Sequence, residues 1–320
     1  MSFLPAATEM IYALGLQDQL VGVTQECDYP PEVLAKPIVV RCAIDLEGKT
    51  PNEIDGIVRE RLRTGEPLYA VDEPLLRSLS PDLIVAQDLC EVCAPSGNEV
   101  THVLKTLPSP PDILYMTPTS LNEVFDNLRQ LGRRFEREAQ AETFIASARK
   151  RLAEIHRRAS ASPRRPCVFC MEWSDPLYCS GHWVPEMVEL AGGVDALARP
   201  RDDSRRVSWD EVRRWAPEVL LVSPCGCHLP GALAHVPQLE RLSGWDDIPA
   251  VRGERVYAVD ASSYFARPGP RVVDGVELLA HLIHPELFHW AGARDAYAKI
   301  RSPTPGPRGA PTGSVLPEVR

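Results

Sequence analysis

Short apolar runs alternate along the chain with longer segments of helical period. LVGVT (20–24), DLIVAQ (82–87) and DILYM (112–116) read as strands in the first half, and CVFCMEW (167–173), EVLLVS (218–223) and RVYAVD (255–260) in the second. These runs are too short for buried helices and rich in Val, Ile and Leu, which suits strands covered on both faces. Helical segments fall between them. The pattern predicts an α/β fold of two Rossmann-like lobes, each with a mostly parallel sheet.

Residues 120–159 carry neither a strand nor Gly-Pro punctuation, and Phe144, Ala148, Leu152 and Ile155 share one helical face. The spacing predicts one helix that closes the first lobe, then a long helix that crosses to the second. The expected divisions are a lobe over 1–135, a linking helix over 136–160, a lobe over 161–290 and a disordered Pro/Gly-rich tail over 291–320. A helical connection is stiffer than a Gly/Ser linker, so small lobe movements are expected.

The halves echo each other. LLRSLSPDLIVAQDLC has a counterpart in EVRRWAPEVLLVSPCG, and TEMIYALG in PEMVELAG. The echo exposes one difference. The second half has the full strand CVFCMEW before its first helix, whereas the first has only Met1-Ser2-Phe3 before LPAATEM. A buried strand usually needs about five or six residues. The start is therefore expected to cut into a strand, with any upstream segment, a signal peptide included, left out.

Composition narrows the function. The net charge of −9 over 320 residues argues against a nucleic-acid partner, and the Arg-rich stretch from Arg149 to Arg165 is interleaved with Glu as a solvated helix face would be. No apolar run reaches the ~18 residues of a membrane span. As written the chain stays in the cytoplasm, and a start further upstream would make it periplasmic or surface-anchored. Nine cysteines, an odd number, suit free thiols better than a disulfide framework.

In parallel sheets, ligands bind beyond the carboxyl ends of the strands. The first half supplies Pro5 and Thr8, then Asp28 and Tyr29, then Asp88, Cys90 and Cys93. The second supplies Trp173, Tyr178, His182 and Trp183, then Cys225, Cys227 and His228, and finally Tyr264, Phe265 and Arg267. Aromatic residues are only 7% of the chain, yet six of them collect in these turns, which suits a large, partly apolar ligand. Cys90/Cys93 and Cys225/Cys227 follow corresponding strands, so a zinc or iron–sulfur site, thiol exchange and a plain cleft wall are all readings of them. No G-x-S-x-G elbow, Walker loop, H-E-x-x-H or G-x-G-x-x-G occurs, so a binding protein rather than an enzyme is expected.

LPAATEMIYALGLQDQLVGVTQECDYPPEV, LLRSLSPDLIVAQDLCEVCA, GHWVPEMVELAGG and YFARPGPRVVDGVELLAHLIHPE resemble the cobalamin-binding branch of the iron-chelate/cobalamin substrate-binding proteins, the receptors of ABC importers. The resemblance covers about residues 1–290. It implies a monomer of two α/β lobes joined by one long helix, holding a cobalamin-type corrinoid between them as ligand, with no cofactor of its own. DLCEVC then resembles one wall of the cleft. An ABC permease is the implied partner if the chain is exported, with Glu99 and either Glu186 or Glu189 facing permease arginines. Two departures stand out: Gln25 occupies the place of a usual His before ECD, and PCGCH is unusually rich in cysteine. His182, Cys225, Cys227 and His228 are accordingly the candidate axial ligands of a bound metal centre. Haem or an iron–siderophore is the alternative ligand, with Tyr29, Tyr264 and His182 as haem ligands. A cytoplasmic corrinoid-handling or metal-thiolate protein is the alternative of another class.

Overall fold

The computed structural model of the chain describes residues 1–87 and 109–301. Helix α1 (Pro5–Ala13) opens with Pro at its first position, where no backbone N–H is needed, and buries Ala6 to Ile11. Strands β1 (Val23–Thr24) and β2 (Ile38–Cys42) run parallel. After helix α2 (Pro51–Thr64), strand β3 (Tyr69–Val71) returns antiparallel to β2. Helix α3 (Glu73–Leu79) leads to β4 (Leu83–Ala86), which is parallel to β5 (Asp112–Tyr115). Residues 1–3 stitch these pieces together: Ser2 donates its N–H to Gly22 at 3.0 Å, and Phe3 donates to Val85 at 2.8 Å. Met1–Phe3 thus lies at mid-sheet, in the place that CVFCMEW takes in the second half.

Helices α4 (Leu121–Arg134) and α5 (Glu138–Ala159) follow, then β6 (Val168–Ser174), β7 (Leu177–Cys179), α6 (Val184–Leu190), α7 (Trp209–Trp215) and β8 (Val219–Val222). Short helices α8 (Leu229–Ala234), α9 (Val236–Leu239) and α10 (Pro249–Arg252) lead to β9 (Val256–Val259), α11 (Ala261–Tyr264), α12 (Val272–Ile283) and β10 (Tyr297–Ile300). The second sheet has the order β10-β9-β8-β6-β7. Its three central strands are parallel and its two edges antiparallel. Every residue of β4, β8 and β9 is buried, as apolar runs without alternation require.

Helix α5 buries Ala141, Ile145, Ala148, Leu152, Ile155 and Ala159 at three- and four-residue intervals. That stripe belongs to an apolar core running from α1 and α4 through α5 into α6 and α12, so the two sheets share one packed seam. Of the face expected from the sequence, Ala148, Leu152 and Ile155 are buried and Phe144 is half-buried beside them. Of the expected disordered tail, the described residues 291–301 contain a strand. Tyr297 to Ile300 pair antiparallel with β9, because this half-apolar segment completes the exposed edge of the sheet.

Candidate functional site

The carboxyl ends of the parallel strands of both lobes face each other, and charged side chains from the two sides meet there. In the first lobe the turn after β1 is fixed from below. Thr24 Oγ1 accepts the Glu26 N–H at 3.1 Å, and Cys27 Sγ lies 3.1 Å from Thr8 Oγ1 and 3.4 Å from Thr24 Oγ1. This anchors Asp28 at the lobe boundary. In the second lobe Asp260 caps α11 by accepting the Ser263 N–H at 2.9 Å, and both its oxygens lie 3.1 Å from His228 Nδ1.

Asp28 and His228 meet across the cleft, with His228 Nε2 2.8 Å from Asp28 Oδ2. Arg267 closes the same carboxylate from the side, donating Nη1 to Oδ1 at 2.5 Å and Nη2 to Oδ2 at 3.1 Å, and also reaches the Glu26 carbonyl at 2.9 Å. Burial works against the charge on Asp28, yet hydrogen bonds from His228 and Arg267 prevail and hold its carboxyl well below the usual range. The carboxylates of Asp260 and Asp28 push His228 up to about 9. The imidazole is therefore a cation at neutral pH, donating from both nitrogens.

A second contact lies deeper. Arg271 of the ARPGPR turn grips Glu9 of α1 with both arms, Nε to Oε2 at 3.0 Å and Nη2 to Oε1 at 2.6 Å. Their side chains are only 12% and 3% exposed. Burial pushes Glu9 up, against the hydrogen bonds and charge of Arg271. The Arg271 guanidinium also lies 4.2 Å from the centre of the Tyr29 ring, a cation–π distance. At the far side of the cleft Trp173 Nε1 donates to the Pro51 carbonyl at 3.2 Å, and Asn52 Nδ2 to Asp175 at 3.1 Å.

The structure thus brings Asp28, Tyr29, Trp173, His228 and Arg267 to one boundary between lobes. Tyr29 is exposed there. Pro5 opens α1, and Tyr178 pairs with Trp173 across β7 and β6; both are half-buried. Tyr264 is half-buried with its ring edge-on to Trp290 at 5.7 Å. Trp183 and Phe265 are interior residues, linked by the Trp183 indole N–H donating to the Phe265 carbonyl at 2.8 Å. They nonetheless line, with His182 and Cys225, a small pocket beyond β6 and β8.

Four expectations need correction. Thr8 is fully buried, and its hydroxyl serves Cys27 rather than the cleft. His228, protonated between two carboxylates, has no lone pair for a metal. Burial pushes the Cys227 thiol up to about 11, so in the free protein it is a neutral thiol and not a preformed thiolate ligand near neutral pH. The Glu186 carboxylate is occupied inside the molecule, accepting the Leu121 N–H at the start of α4 at 2.8 Å. His182 Nε2 lies 3.0 Å from Asp203. Asp88, Cys90, Cys93 and Glu99 lie outside the described residues. Among those described, seven cysteines are free thiols and no group of three or more His, Cys, Asp or Glu side chains is arranged to hold a metal ion. Sequence reasoning missed Glu9 and Arg271. The available signal was Glu9 itself, the one charge in the otherwise apolar α1 sequence PAATEMIYA.

Over residues 3–262 the sequence matches the family described as periplasmic binding protein. It is 28% identical over 278 residues to a vitamin B12-binding protein of Vibrio cholerae, a match covering 86% of this chain and 85% of that one. It is 26% identical over 295 residues to YvrC, an uncharacterized ABC transporter substrate-binding lipoprotein of Bacillus subtilis, covering 90% and 80%. Among solved structures, a periplasmic heme binding protein from Pseudomonas aeruginosa has a TM-score of 0.70 at 17% identity, covering 94% of this chain and 98% of that one. The periplasmic vitamin B12 binding protein of Vibrio cholerae has a TM-score of 0.61 at 24% identity, covering 89% and 95%. At those identities the likeness of structure concerns the fold. Together with the family match along both lobes, it leads to one conclusion: the chain belongs to the periplasmic binding protein family.

Proposed function

We propose that the chain is the ligand-binding receptor of an ABC importer and that its ligand is a corrinoid of the cobalamin type, held where the strand ends of the two lobes meet. The observation that carries this reading is the match to a vitamin B12-binding relative over 86% of the chain, a span that takes in both walls of the cleft. The rings of Tyr29, Trp173, Tyr178 and Tyr264 supply flat, partly exposed surfaces for a macrocycle, and the charged groups between the lobes supply polar partners for its rim. The chain binds and delivers rather than transforms. It works outside the cytoplasm, as the lipoprotein and periplasmic relatives do. Glu189, exposed on α6, is the acidic residue of the second lobe that faces the permease.

A corrin ring enters only if the Asp28–Arg267–His228 contact gives way, so part of the binding energy goes into parting it. Calorimetric titration of the metal-free protein with cyanocobalamin, aquocobalamin and haemin, with visible spectra recorded alongside, tests the reading. Tight one-to-one binding of the cobalamins is expected. Binding of haemin alone would overturn the corrinoid assignment while keeping a receptor. With aquocobalamin only, a band shift would identify an axial ligand from the protein, for which His182 and Cys225 remain the candidates.

A further inference from the structure

We propose that α2 is a strap that closes across the mouth of the cleft and sets how long the ligand stays; this rests on the corrinoid reading above. Strand β2 runs parallel to β1, so it ends at the same edge of the first lobe as the turn that carries Asp28. From that edge residues 44–67 leave the sheet and return to it. Cys42 pairs with Tyr69, and Ala43 donates its N–H to the Leu68 carbonyl at 2.8 Å, so the excursion begins and ends at one point.

The first turn of α2 then crosses to the second lobe. Trp173, at the carboxyl end of β6, donates its indole N–H to the Pro51 carbonyl at 3.2 Å, and Asn52 Nδ2 donates to Asp175 Oδ1 at 3.1 Å. The landing is held in place from its own side. Gln238 Nε2 donates to the other Asp175 oxygen at 2.9 Å, and the His235 ring stands edge-on to Trp173 at 5.0 Å. The Asp28–Arg267–His228 contact gives way as the ring enters. The α2 crossing lies elsewhere, between the ends of β2 and β6, and stays across the mouth once the ring is inside.

The helix is built to move as a unit. No residue of α2 is buried, and among the described residues none of Ile54, Ile57, Val58 and Leu62 joins an apolar cluster. A 14-residue helix with so little packing is marginal unless its own sequence supports it. Here Thr50 and Glu53 form a capping box, Pro51 takes the first position, and Gly65 ends the helix left-handed with φ of 72°. Glu60 and Arg63 pair through two hydrogen bonds of 2.6 and 2.9 Å. Lifting α2 therefore parts two neutral hydrogen bonds without opening the core, which suits a closure that works on each binding cycle.

The test loads the protein with radiolabelled cyanocobalamin and times its release into an excess of unlabelled ligand. Wild type is compared with Asn52→Ala and with a variant in which residues 44–67 give way to Asn-Gly, a two-residue turn that suits the paired ends. Asn52→Ala should release about 2- to 13-fold faster, having lost one hydrogen bond. The excision variant should release more than about fivefold faster, associate no more slowly, and melt close to wild type. Release as slow as wild type in both variants overturns the strap and leaves the corrinoid reading standing. Slower association with unchanged release also overturns it, because α2 is then binding surface rather than closure. If the excision variant does not fold, Asn52→Ala decides, and its unchanged release rate alone overturns the strap. Failure of wild type to bind a cobalamin overturns the corrinoid reading on which the strap rests.

Discussion

Glu9 and Arg271 are separated by 262 positions in the chain and meet as a two-armed pair screened from water. Neither neighbour in sequence nor spacing announces such a pair, because nothing local distinguishes a glutamate that will be buried from one that will be solvated. Asp28, Tyr29 and Arg267 were legible for a different reason: they follow predicted strands, and strand ends converge. The same rule misplaced Thr8, since position along a strand end does not say which way a side chain faces. The buried pair makes a firm expectation. Glu9→Ala leaves the guanidinium of Arg271 without its carboxylate and should cost about 3–5 kcal/mol of stability in denaturant titration. Glu9→Leu combined with Arg271→Met, apolar on both sides, should recover most of that loss. A single substitution that changes stability by less than about 1 kcal/mol would mean that water or another acid replaces the partner.

At the level of elements, β1, β4, β5, β6, β8 and β9 were readable as apolar runs. Strands β2, β3, β7 and β10 were not. β3 and β10 lie at sheet edges, are short and mix exposed with half-buried positions, so their sequences resemble loops until a partner strand is in place. The repeated helix–strand unit proved to have a shared joint. Helix α3 ends at Ser80 and α7 at Ala216, both left-handed, with φ of 42° and 52°, and each precedes a proline. The cap N–H turns back to Leu76 in one case and Val212 in the other, and the proline prevents the helix from continuing. Ala216 adopts this conformation at the expense of a Cβ contact that glycine does not have. Ala216→Gly should therefore raise stability by about 0.5–1 kcal/mol, read as a shift of the unfolding midpoint at unchanged slope. An unchanged or lowered midpoint would show that the strain is relieved elsewhere or that unfolded-state entropy outweighs it.

Across the whole molecule the two lobes are tied by a stiff helix on one side and by charges on the other. His228 is the titratable member of that tie, facing Asp28 from the first lobe and Asp260 from its own, with Arg267 alongside. Its folded value is raised from 6.5 to about 9, so the contact is fully present below 6.5 and is lost as pH rises through 9. Asp28, held well below the usual carboxylate range, keeps its charge throughout that window. The melting temperatures of wild type and His228→Gln should differ most at pH 6 to 6.5 and converge above about pH 9. Curves that stay parallel would show that His228 is not charged in the folded protein. The two-lobe plan itself was legible from the alternation of strands and helices, whereas the charged contacts of Asp28 with His228 and Arg267 join side chains 200 or more positions apart. The Glu9–Arg271 pair has one more consequence. A protein that prises these lobes apart has to do work against two unscreened charges, and it lightens that work by offering a base to Glu9 and an acid to Arg271 as they separate. Parting the lobes would leave two opposite charges behind, and a surface that carries both signs would complement them.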